Sequence, residues 1–249
     1  MVNGEIPPRP AGDWRLAHTR FTAFGEAGKW PESAEFFGEL FGFPPEDESR
    51  KKQEMKVEFS ARVGCVNHML AVQAGKLDIV ISPVAPEEIP VEIPYLADWA
   101  ACREHVKKMS FKVLAGDYSI SRIAVGEQWL LPVQSRHEGY SGLGFFLAGV
   151  DMDPAGSKDF FYRINRPRRW QSKEWEIEIN RLTTWGSISL HLVGPNLMAT
   201  RGGDCVSVTT DINTIPESKF ISLPPDARQD LAKVLFEYSA EMTEKGDSK

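Results

Sequence analysis

A chain of 249 residues, 42% hydrophobic and 26% charged, has the composition of a folded globular protein and can bury a core without disulfides or metal. Its net charge of −6 excludes a molecule-wide attraction to nucleic acid, though not a local basic patch. No run approaches about 18 apolar residues, and the first residues carry neither a basic nor an apolar leader segment, so neither a membrane span nor a signal peptide is expected.

Residues 1–12 are rich in Pro and Gly, and Trp14 to Phe24 has strand composition. Pro31 sits where the first turn of a helix is expected, with Phe36, Phe37, Leu40 and Phe41 on one side. The charged run 46–52 reads as a solvated loop. Met55, Val57, Phe59, Ala61 and Val63 then alternate with polar residues, which predicts a strand with one wet face. Val66–Gln73 and Leu77–Ser82 continue the style across Ala74-Gly75-Lys76, a tight hairpin, so the three strands form an antiparallel meander.

Residues 83–94 hold four prolines and read as a loop or an edge. Tyr95, Trp99, Cys102, Val106 and Met109 form a helical stripe. One or two strands are expected over 118–133, a glycine-weakened helix over 137–147, and a turn at 151–156. Ile177 and Ile179 alternate with Glu176 and Glu178, then Ile188, Leu190 and Leu192 with Ser187, Ser189 and His191. Gly202-Gly203 reads as a hairpin turn before Val206, Val208 and Ile212. A last helix follows Pro224-Pro225, with an apolar stripe from Leu231 to Met242, and Gly246 stops it. The expected fold is a single α+β domain over 1–249: antiparallel sheet packed by amphipathic helices, with sub-lobes at 1–115 and 116–249 from a pseudo-duplicated sheet-plus-helix unit.

The chemistry-bearing residues are sparse. Cys65, Cys102 and Cys205 are far apart and odd in number, which predicts reduced thiols in or near the core. With no export signal, they point to the cytoplasm. Cys65-x-x-His68 is a lone mixed pair, too few ligands for zinc, and neither metal nor cofactor is expected. Asp78 with Glu176 and Glu178, or Asp151 with Asp153, are the carboxylates a metal-dependent hydrolase would need. No G-x-S-x-G and no glycine-rich phosphate loop is present.

The sharpest local feature is a repeated I-N-R-x-x-x-W pattern, Ile164-Asn165-Arg166 with Trp170 and Ile179-Asn180-Arg181 with Trp185. In extended chain each Ile shares a face with its Arg, so either the strand ends at Asn or the arginines enter a polar interior. Structural ion pairs at strand ends are the simplest outcome, and a paired-arginine anion pocket the alternative. Around the first copy, Tyr162, Arg163, Arg166, Arg168, Arg169 and Trp170 interleave arginine with aromatics, a composition suited to binding. Together with Arg181 and Trp185 they form the candidate binding surface. The expected function is recognition or assembly without catalysis, with a protein partner or a second copy of the chain. RNA or single-stranded DNA on the same surface is the second reading, and a scattered-carboxylate hydrolase the third.

Overall fold

Period-two alternation and capped amphipathic segments account for most of the architecture. The computed structural model describes residues 13–84, 93–147, 149–150, 153, 155–156, 160–172, 174–193, 199–216, 220 and 222–247, with backbone alone over 190–193 and 199–202. The elements begin with β1 (Arg15–Gly25), α1 (Ala34–Phe41), β2 (Asp47–Lys51), β3 (Lys56–Val63), β4 (Val66–Gln73), β5 (Lys76–Pro83) and α2 (Trp99–Ala115). They continue with β6 (Ile120–Val133), α3 (Arg136–Phe146), β7 (Phe161–Asn165), β8 (Arg168–Gln171), β9 (Glu176–Val193), β10 (Ala199–Thr214) and α4 (Pro225–Lys245). A strand, a helix, four strands and a helix thus occur twice in succession.

All ten strands join one antiparallel sheet in the order β2-β3-β4-β5-β1-β6-β10-β9-β7, with β8 beside β7 along the outer side of β9. The fold is α+β. Strands β1 and β6, which open the two series, pair antiparallel at the centre, Phe21 opposite Val125. No helix among the described residues is long and apolar enough to cross a membrane.

The helices start and stop where the chain satisfies their end groups. Ser33 Oγ accepts from Phe36 N at 3.2 Å and Asp98 from Ala101 N at 3.0 Å, so α1 begins after Ser33 and not at Pro31. Tyr95 lies before α2, where Leu96 bridges Leu16 of β1, so the stripe expected from Tyr95 begins inside the helix instead. Gly246 ends α4 at φ 68°, and a Cβ there would meet Phe146 O at 2.4 Å; glycine alone lets the C-terminus of α4 close on α3.

Helices α1 to α4 share one face of the sheet. Pairing register puts Thr19, Phe21, His68, Glu127, Trp129, Thr210, Arg181, Trp185 and Ser187 on the same side. Each helix touches residues of that set. Phe41 of α1 meets His68, Arg103 of α2 and Ser239 of α4 meet Glu127, and Phe146 of α3 stacks on Trp185. The continuous core lies in this layer. The opposite face carries no helix among the described residues.

Several local expectations change for identifiable reasons. The run 46–52 is mostly β2, an edge strand with all five residues exposed; its charges suit an edge that must not pair further. Residues 120–133 form one strand, within the one or two expected over 118–133, and 176–193 form one continuous strand where two alternating runs were read. Ile188 falls on the uncovered face while Ser187 is buried at 4% exposure, because the phase set by Ile177, Ile179 and Trp185 runs unbroken through residue 188. Gly203 sits at an irregularity inside β10 and not in a hairpin turn. Most of the proline-rich stretch, and half of the turn expected at 151–156, lie outside the described residues.

His68 illustrates the energetic cost of the covered face. It is 7% exposed among Phe41, Phe43 and His105, with ring centroids 5.1–5.6 Å away. Burial, reinforced by His105, lowers its pKa to about 4, so the folded state holds it neutral while the unfolded chain protonates near 6.5. That stability is present above 6.5 and is lost as pH falls toward 4, by roughly 3 kcal/mol at about 1.36 kcal/mol per pH unit. In denaturant titrations at neutral and acid pH, His68→Phe is expected to flatten the acid loss; an unchanged pH slope contradicts this assignment.

Candidate functional site

The arginine-aromatic run meets the C-terminal helix. Strand β7 ends at Asn165, and Arg166, just beyond it, donates from NH2 to Asp247 Oδ2 at 2.7 Å and from Nε to Oδ1. Tyr162 Oη donates to the same carboxylate at 3.1 Å. The Arg166 hydrogen bond holds Asp247 below the usual carboxylate range. Arg181 continues its strand inward, as parity with Ile179 requires, and is 2% exposed. It reaches Glu241 at 3.3 Å and lies 5.0 Å from the Tyr238 ring centre. Arg168 meets Glu241 at 3.1 Å and also lies 5.1 Å from the Tyr238 ring centre. Burial pushes Glu241 up, but Lys245, Arg168 and Arg181 outweigh it and hold it below its ordinary value.

Arg166 and Arg181 therefore converge, on the carboxylates at the end of α4. Three of the predicted binding arginines anchor a helix to its sheet. Trp185 is fully buried between Phe146 and Trp14, and Trp170 packs at the margin of the core. Arg169 pairs with Glu176 at 2.9 Å on the outside. Arg163 differs: it is exposed, lies on the uncovered face, and forms no ion pair among the described residues.

On that face Arg163 belongs to a cleft of about 320 Å³ at the middle of the sheet. Two cross-strand rows build it. One runs Arg20, Gly126, Asp211, Leu182 and the other His18, Gln128, Thr209, Thr184, Arg163, across β1, β6, β10, β9 and, in the second row, β7. Arg20 lies flat over Gly126, where a Cβ would come within 3.2 Å of its NH2. Gly126 is thus the position that lets the guanidinium cross the sheet. Arg20 Nε is buried without a hydrogen-bond partner. Burial and the neighbouring Arg20 lower the pKa of His18, against the pull of Glu127. Asp211, among the described residues the one carboxylate lining the cleft from the uncovered face, accepts from Asn213 Nδ2 at 3.1 Å. Such a site can hold an anionic group by charge and by directed N–H and O–H donors.

The other candidates offer less. A larger hollow of about 640 Å³ lies between α2 and α4, lined by Trp14, Arg15, Tyr95, Trp99, Arg103 and Trp129 among others. Its arginines are engaged: Arg103 donates to Glu127 at 2.7 Å and Arg15 lies 4.5 Å from the Tyr95 ring centre. Asp78 accepts from Thr22 Oγ1 at 2.5 Å and pairs with Lys76, four strands away from Glu176 and Glu178. Asp151 lies outside the described residues, and Asp153 accepts from Ala155 N. Among the described residues no group of three or more His, Cys, Asp or Glu is placed to hold a metal. Cys65 is exposed, whereas burial raises the Cys102 thiol and lifts that of Cys205 to about 11.

Sequence reasoning missed His18, Arg20, Thr184, Thr209 and Asp211, which come from strands far apart in the chain. The available signal was Gly126, a glycine inside a long strand, where close approach of another group is the usual reason. No protein-family model, no curated protein and no solved structure matches the chain.

Proposed function

We propose that this protein is a recognition or assembly protein that binds a protein partner, without catalysis, over the uncovered face of its sheet. The observation carrying this reading is the one-sided packing: the described helices cover one face, and the other gathers Arg20, His18, Thr184 and Arg163 from strands far apart in sequence. Phe161, 68% exposed at the β7 edge and in the same strand phase as Arg163, adds an apolar anchor of the kind that dominates binding energy. The surface expected from the sequence thereby contracts to its outward members. Replacing Arg166 or Arg168 would loosen α4 and confuse stability with binding. The twofold order of elements supports reading 1–115 and 116–249 as two sub-lobes of one domain, with the cleft spanning their junction.

The test captures partners from the native cell with the full chain and with a Phe161→Ala, Arg163→Ala double variant. Loss of a hot-spot pair is expected to lower recovery by at least about tenfold with unchanged melting temperature. Unchanged recovery removes this surface. Capture of single-stranded RNA in place of protein, falling steeply with salt, would replace the protein reading by the nucleic-acid one.

A further inference from the structure

The charges of the cleft are unevenly satisfied. Elsewhere Arg50, Arg103, Arg166, Arg168, Arg169 and Arg181 each meet a carboxylate. Arg20 and Arg163 meet none among the described residues, yet line the same cavity. A guanidinium with a buried, unpaired Nε is costly to hold unless something else supplies the acceptor. Gly126 leaves room for it, since a Cβ there would come within 3.2 Å of its NH2, and Thr184 and Thr209 line the same cleft.

We infer that the cleft over Gly126 binds an oxyanion, a phosphate or a carboxylate group, held by Arg20 and Arg163. Arg20 supplies the planar fork that grips two oxygens of one anion. Arg163 closes the site from the β7 side, and Thr184 and Thr209 donate through their hydroxyls. Asp211 opposes the anion and limits its affinity. The site takes its location from the reading of the uncovered face as the recognition surface, and would present the acidic or phosphorylated group of what binds there with its counter-charge. His18 is a reporter. Besides Arg20 and Arg163, the charged groups around it are Asp211 in the cleft and Glu127 beneath the sheet.

The test titrates inorganic phosphate and acetate separately into the full chain at fixed ionic strength, following the His18 imidazole by NMR. A saturating shift is expected, with His18 protonating at higher pH when the site is filled. Arg20→Gln should weaken binding by about tenfold or more. Gly126→Ala should also weaken it by displacing the guanidinium, and Asp211→Asn should tighten it. Whichever anion saturates at lower concentration assigns the site to phosphate or to carboxylate. No saturating shift with either anion overturns the inference, as does unchanged affinity in Arg20→Gln. If Arg20→Gln melts early, Gly126→Ala decides. Absent anion binding with intact partner capture overturns this site alone; intact anion binding without partner capture overturns the recognition reading.

Discussion

Glu127→Ala is expected to cost about 3–5 kcal/mol, a large share of the roughly 5–15 kcal/mol that holds a domain folded. The side chain is fully buried at the centre of the covered face. Its carboxylate accepts from Arg103 Nε at 2.7 Å, Ser239 Oγ at 2.7 Å, Trp129 Nε1 at 3.2 Å and Thr19 Oγ1 at 3.3 Å. Those donors come from α2, α4, β6 and β1, so one residue ties both long helices to the central strand pair. The pair is stabilising only because every lone pair is used; removing the acid leaves Arg103, among the described residues, with Phe236 O as its one hydrogen-bond acceptor. Glu127→Gln keeps the shape and some acceptors and should cost less. Denaturant midpoints measure both, and a loss under 1 kcal/mol for Glu127→Ala contradicts the network's role.

Trp185→Ala should cost about as much, 3–5 kcal/mol, for a different reason. The ring is fully buried, stacked on Phe146 at 5.3 Å and edge-on to Trp14 at 6.3 Å. Deleting it leaves a cavity beneath α3 that neighbouring strands cannot close. Its Nε1 is buried without a hydrogen-bond partner, so Trp185→Phe sheds an unsatisfied donor and should retain most of the stability. Equal losses in the two variants would show that the indole N–H is bonded after all.

How much of this was legible follows from the physics of each element. Strand β3 alternates cleanly up to Ala61, β4 and β5 follow the same phase except that Ala71 and Asp78 are buried on the opposite side, and Gly75 at φ 73° marks the β4–β5 hairpin. Strand β2 left no trace, since Asp47–Lys51 is exposed on both sides and only its neighbour makes it a strand. Ser187 read as outward because it is polar, whereas the continuous phase of β9 carries it beneath Gly139. The I-N-R parity left Arg181 either freed by a strand end, the simpler outcome, or turned inward; β9 runs on past Asn180 and carries it inward, and its partner Glu241 sits sixty positions later, where local reading has no reach. The cleft was hidden for the same reason. Its two arginines are separated by most of the chain and meet only through the order of five strands.

Recognition over the uncovered face is decided by which side of the sheet meets the partner. A photoreactive side chain placed at Thr209, exposed in the cleft, should cross-link the captured partner, while one at Asp230, exposed on α4, should not. Cross-linking from Asp230 with none from Thr209 would place recognition on the helical side and contradict the central claim.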